Sequence, residues 1–187
     1  MALPASGEIT FGDLNNQLRR GSLTAQISLN DSQVRGLAVK PSGAISMSNL
    51  HNKWAGSRVT VAPTTNISGL VGYGFKSATW SGSGSKQGNC EGEYAGAVCG
   101  TVVWSSNIGG GIAGMYVGTE GNEPQPTSQT LKITDDSFNV INTVSLSTWT
   151  KMTEAGWGPP INAWYASASV PTNPLGTTTG AKRWFTW

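Results

Sequence analysis

Two glutamates, Glu91 and Glu93, sit one residue apart near the middle of the 187-residue chain. A strand would turn both carboxylates to one face. Glycosidases use paired carboxylates across a sugar bond, one of them held protonated; on a strand such a pair more often makes a solvated face. The remaining chemistry is thinner. His51 is the one histidine, and no Gly-x-Ser-x-Gly elbow exists to build a Ser-His-Asp site around it. Together with Cys90 and Cys99 it fits no zinc spacing, and no calcium loop is present. The run Gly109-Gly110-Gly111-Ile112-Ala113-Gly114 spells Gly-x-Gly-x-x-Gly. Its flanks at 102–104 and 115–117 both look like strands, so a hairpin loop fits better than a dinucleotide turn, which needs a helix on one side. These observations predict a protein that is not an enzyme and carries no metal or cofactor.

Aromatic rings are the stronger signal. Of the eight tryptophans, Trp104, Trp164 and Trp184 lie in alternating runs and are expected in a core, where each ring removes a large apolar area from water. Trp80 and Trp157 are each followed by Gly/Ser or Gly/Pro loop chemistry. With the nearby Tyr165 they are candidate contacts for a sugar face, stacked by rings and bonded by neighbouring Asn and Ser. Cys90 and Cys99 bracket eight residues and could close a hairpin, although synthesis in a reducing cytosol favours free thiols.

The composition narrows the class. Charged residues make up 12%, while Gly numbers 25, so charge is about half the ~25% of an average globular domain. Ser, Thr, Asn and Gly take the place of Lys and Glu, a mixture suited to strands, turns and subunit contacts. Net charge is +2, which gives no strong pull toward nucleic acid or an anionic membrane. Residues 1–58 hold six basic groups against three acids, whereas residues 59–187 hold six against seven. No run of apolar residues is long enough for a spanning helix, and the first residues lack the pattern of a secretion signal.

What must position these residues comes in two parts. Residues 5–18 align with 41–54 at an offset of 36, with Ser, Gly, Ile, Leu and Asn identical. Ile9, Phe11, Leu14 and Leu18 correspond to Ile45, Met47, Leu50 and Trp54. Thr10 and Ser46 are good helix N-caps, and Asp13 completes a capping box after Thr10. A related unit at 27–37 predicts a helix capped by Ser28 or Asn30 and stopped near Gly36. Three such helices cannot make a durable core alone, so they must pack on the following domain, a sister subunit or another protein.

The ordered pattern of Ser-Gly-x-Ile-Thr, Ile-Ser-Leu-Asn-Asp-Ser-x-Val-Arg-x-Leu and Ser-Gly-x-Ile-Ser-Met-Ser resembles the N-terminal segment of many tailed-bacteriophage virion proteins. It covers residues 4–54, under a third of the chain. The resemblance implies a structural component of the tail, neck, collar or fibre, assembled in the bacterial cytoplasm, partnered by other virion proteins and by copies of itself, with a homotrimer as the first expectation. It makes Ile9, Phe11, Leu14, Leu18, Ile45, Met47, Leu50 and Trp54, with the basic Arg19, Arg20 and Arg35, the candidate attachment residues. A host-surface glycan is the alternative partner.

Beyond residue 57 the apolar period changes to two: Val59 and Val61, then Val71, Tyr73 and Phe75, Val102 and Trp104, Leu131 and Ile133, with further strand-like runs at 115–118, 139–144, 162–166 and 183–187. Gly, Pro, Asn and Ser separate them. The expected architecture is a module of short capped helices over 1–57, followed over 58–187 by an antiparallel β-sandwich or jelly-roll-like domain. Residues 81–89 read as a flexible loop, and residues 171–180 as a turn-rich connection.

Overall fold

The computed structural model describes residues 2–20, 22–40, 42–53, 55–65, 71–81, 84–108, 110–153 and 160–186. Two antiparallel sheets dominate it. Their strands are β1 Ser57–Thr60, β2 Ala62–Thr65, β3 Val71–Lys76, β4 Asn89–Glu91, β5 Glu93–Tyr94, β6 Ala97–Ser105, β7 Gly114–Thr119, β8 Thr130–Thr134, β9 Val140–Ser145, β10 Thr150–Lys151, β11 Trp164–Ser169 and β12 Lys182–Thr186. The five-stranded sheet runs β4-β1-β12-β8-β9; the seven-stranded sheet runs β10-β11-β7-β6-β3-β2, with β5 paired to β6. The chain is a β-sandwich. Among the described residues, no helix is long and apolar enough to cross a membrane.

Alternation sets the main core. The partners Phe75, Val102, Val117 and Ala166 form one row across the seven-stranded sheet. They face Val59, Leu131, Ile133 and Phe185 of the other sheet in one buried cluster. Burying such rows provides the main driving force for this layer, at about 25 cal/mol per Å².

The N-terminal residues make a third layer. Helix α1, Phe11–Gln17, starts at Thr10, whose hydroxyl accepts the Asp13 amide (3.1 Å) while Asp13 accepts the Thr10 amide (2.8 Å). Helix α2 covers Ser32–Ala38, and a 3₁₀ turn covers Met47–Leu50. In place of the expected third α-helix, the second copy of the repeat thus makes only one tight turn. The expected caps of α2 are also displaced. Asp31 is its N-cap and Val39, in the left-handed region at φ 57°, ends it. Ser28 instead donates its amide to the Asp31 carboxylate (3.2 Å), and Asn30 accepts from the Arg35 guanidinium (2.6 Å). Gly36 does not stop the helix. It lies inside α2, and its missing side chain lets the helix approach the 137–138 turn, where a Cβ would sit 2.7 Å from both Phe138 Cβ and the Ser137 carbonyl.

This layer covers the outer face of the five-stranded sheet. Leu3, Ile9, Leu14, Leu18, Val34, Leu37, Leu50 and Ala55 are buried in one cluster with Trp184 of β12. The neighbour that the short helices require is therefore the chain's own sheet.

Candidate functional site

The contact between module and sheet is organised by one row of outward-facing residues. Register places Glu91, Arg58, Trp184 and Thr134 side by side on β4, β1, β12 and β8. Arg58 pairs with Glu91 at 2.7 Å, donates to the Arg19 carbonyl at 2.9 Å and lies 5.5 Å over the Trp184 ring. Trp184 stacks on Phe138 with centroids 5.0 Å apart and donates its indole N–H to Asp136 at 2.9 Å. Asp136 is held by a tight turn in which Asp135 accepts the amides of Ser137 (2.8 Å) and Asn139 (2.9 Å). Partial burial raises the Asp135 pKa, but the hydrogen bonds from Asn139 and Ser137 outweigh it, so the carboxyl stays below its usual range. The ends of the module are tied as well: Leu3 donates to the Lys53 carbonyl (2.9 Å), and His51 Nδ1 to that of Pro4 (2.9 Å). His51 is thus a structural link between the two ends.

This geometry sorts the candidate attachment residues. Ile9, Leu14, Leu18 and Leu50 are buried against Trp184, and Ile45 and Met47 are partly buried there. The four buried residues hold the module to its own sheet, while Ile45 and Met47 keep part of their surface exposed. The arginines are engaged too. Arg20 pairs with Asp31 at 3.0 Å and bonds Gln33, Arg35 bonds Asn30 and the carbonyls of Lys40 and Gly43, and the Arg19 guanidinium packs on Gly92. Among the described apolar repeat positions, Phe11 stands out at 48% exposed. Trp54 lies outside the described residues.

Two exposed apolar residues that the repeat pattern missed join it. Leu23 is 62% exposed and lies beside Gly12, next to Phe11 in the chain. Its loop is pinned by Asn15, whose buried amide donates to the Leu23 and Ala25 carbonyls (3.1 and 2.8 Å). Val39, 74% exposed, rims a cleft of about 670 Å³ between α2 and the sheet, together with Leu37, Phe138 and Val140. Lys53, Lys132 and Glu93 line the same cleft. The signal for Leu23 was its isolation in a polar stretch, which no periodicity argument weighs.

The candidate sugar contacts separate. Trp80 is only 4% exposed. It folds over Gly100 and Gly118, where any Cβ would overlap its ring, and donates its indole N–H to the Thr119 carbonyl (2.7 Å). A ring so enclosed presents no stacking face, which corrects that expectation. Tyr165 is half-buried and stacks on Tyr116 at 5.5 Å. Trp157 lies outside the described residues. The tryptophans expected to pack do so: Trp184 is enclosed, while Trp104 and Trp164 lean on the inter-sheet core.

The glutamate pair is also dismantled. Gly92, at φ 89°, breaks the extended run between Glu91 on β4 and Glu93 on β5. The two strands pair with different partners, β1 and β6. Glu91 is neutralised by Arg58, and Glu93 is exposed. The described part of the glycine run, 110–113, lies in the hairpin connection between β6 and β7, with the Ile108 amide bonded to the Ile112 carbonyl at 2.8 Å; Gly109 lies outside the described residues. No group of His, Cys, Asp and Glu able to hold a metal occurs among the described residues.

Comparison of the chain with protein-family models, with curated proteins and with solved structures gave no match.

Proposed function

We propose that this chain is a structural, non-enzymatic component of a tailed-phage particle, in the tail, neck, collar or fibre. The N-terminal module serves as its attachment face, and the sandwich projects from it or decorates the particle surface. The resemblance of residues 4–54 supplies the class of assembly. The observation that carries the attachment role is that Phe11 and Leu23 stay exposed, with Leu23 lying beside Gly12, the chain neighbour of Phe11, on a module whose leucines Leu3, Leu14, Leu18 and Leu50 are buried. Exposed aromatic and aliphatic anchors of this sort, once desolvated, supply most of the energy of a protein contact.

Deleting residues 1–54 is a poor test, because it would strip the cover from Trp184. The better test is the pair Phe11→Asp and Leu23→Asp, which replaces no buried side chain. In particles assembled with the variant in place of the native chain, its copy number should fall at least tenfold while its Tm stays unchanged. Full incorporation of the folded variant would overturn the attachment role.

A second reading, recognition of a host-surface glycan, rests on Tyr165, whose ring is backed by Tyr116 on the outward face of the seven-stranded sheet. A glycan array bound by the native protein and lost with Tyr165→Ala would favour it.

A further inference from the structure

We propose that Cys90 and Cys99 form a latent cross-link between the two sheets, closed when the folded protein meets a disulfide oxidant. Cys90 lies on β4 of the five-stranded sheet opposite Val59, whose side chain is buried in the inter-sheet core. Cys99 lies on β6 of the seven-stranded sheet opposite Thr119, next to a bulge, and is buried in that same core. Both thiols are free. Cys90 packs against the buried cluster that contains Cys99, close enough for its thiol to push the Cys99 pKa up, while the Cys99 S–H donates to the Thr101 and Gly118 carbonyls (3.4 and 3.7 Å). The intervening chain is already folded back: β5 and β6 pair Glu93 with Val98 and Tyr94 with Ala97 around the turn at Ala95 and Gly96. Bridging the two sulfurs would therefore bolt β4 to β6 across the sandwich without unfolding either strand.

The accessibilities set the order of events. Cys90 is only partly buried, so it meets the oxidant first. Its thiolate attacks one sulfur of glutathione disulfide, making a mixed disulfide and releasing one glutathione thiolate. Cys99 then attacks the Cys90 sulfur, the sheet-to-sheet bond forms, and the second glutathione thiolate leaves. The two thiol protons end on the two glutathiones, and the pair of electrons lost by the protein reduces the oxidant. The neighbouring Cys90 thiol and burial push the Cys99 pKa well up, so the second step is slow and speeds up as pH rises. Such a bond stays open in a reducing cytosol and closes outside it.

The test incubates the full chain with glutathione disulfide, quenches it, unfolds it in alkylating agent and weighs it. The expected product is a monomer lighter by two hydrogens, with neither cysteine alkylated. Closing a ring of about ten residues should raise Tm by about 5–10 °C, and dithiothreitol should reverse the rise. Cys99→Ala and, separately, Cys90→Ser should each abolish the shift; using both guards against loss of folding at the buried position. Two alkylated cysteines after prolonged oxidation, a bond between chains in place of one within the chain, or an intramolecular bond that leaves Tm unchanged would each overturn the proposal.

Discussion

Trp184 is the residue on which module and sandwich both depend, and replacing it by alanine tests that dependence. The ring is fully enclosed. It touches Leu14, Leu18 and Leu50 from one layer and is carried by a central strand of the other. A buried tryptophan hides about 150–250 Å², worth about 4–6 kcal/mol at 25 cal/mol per Å². Measured Trp→Ala losses of about 3–5 kcal/mol agree with the lower part of that range, because the cavity partly collapses. With a urea slope of about 2 kcal/mol per M, a loss of about 4 kcal/mol moves the unfolding midpoint down by about 2 M. The assay is urea unfolding followed by circular dichroism, paired with limited proteolysis. Cleavage should appear first in the 22–31 segment, which carries no helix or strand of its own and packs on the Trp184 cluster only through Ile27 and Leu29. Trp184→Phe keeps most of the area but loses the bond to Asp136, so it should cost about 1–2 kcal/mol. A midpoint shift under about 0.5 M for the alanine variant would refute the claim that the layers share a core.

Gly36→Ala should destabilise the protein by about 1–3 kcal/mol, although alanine is the better helix former by about 1 kcal/mol; thermal unfolding reads the sign, and a rise in Tm would show that Phe138 can move aside. Glu91→Gln leaves the partly buried Arg58 without its charge partner and should cost about 1–2 kcal/mol; a double-mutant cycle with Arg58→Met measures the coupling, and a coupling of zero counts against the row. The lowered Asp135 pKa makes its contribution to stability fully present above the unfolded value near 3.8 and lost as pH falls through the folded value. The stability gap between the native chain and Asp135→Asn should therefore narrow below about pH 4, and a gap that stays constant down to pH 2 would contradict the assigned hydrogen bonds.

Much of this fold was legible in the residues. Alternation at Tyr73 and Phe75, at Val102 and Trp104, and at Leu131 and Ile133 marks strands that the structure contains. The capping box of Thr10 and Asp13 forms as its spacing requires. The strands at 89–91, 93–94 and 150–151 were not legible, since two or three residues rich in Asn, Glu and Thr carry no period. The role of Trp184 was half visible. Alternation made it a core residue, yet Trp184 and Phe185 are adjacent, and adjacent residues of a strand point to opposite faces. Two large buried neighbours mean a strand covered on both sides, which is what the module does. Trp80 could not have been placed, because its cover depends on Gly100 and Gly118 meeting beneath it from two other strands.

The shared core also sets what the proposed attachment through the N-terminal module would require of this chain. A tether of independent helices would pass force to the sandwich through a linker. Here the row of Glu91, Arg58, Trp184 and Thr134 runs across the strands beneath the module, and Arg58 reaches up to the Arg19 carbonyl just beyond α1. A pull applied at Phe11 or Leu23 therefore loads β12, which is hydrogen-bonded to β1 on one side and β8 on the other. If the proposed attachment holds, residue changes that loosen the row, such as Glu91→Gln, should weaken it without touching Phe11 or Leu23. Changes at Phe11 and Leu23 should do so without altering stability. The separation of those two effects distinguishes a welded anchor from a flexible one.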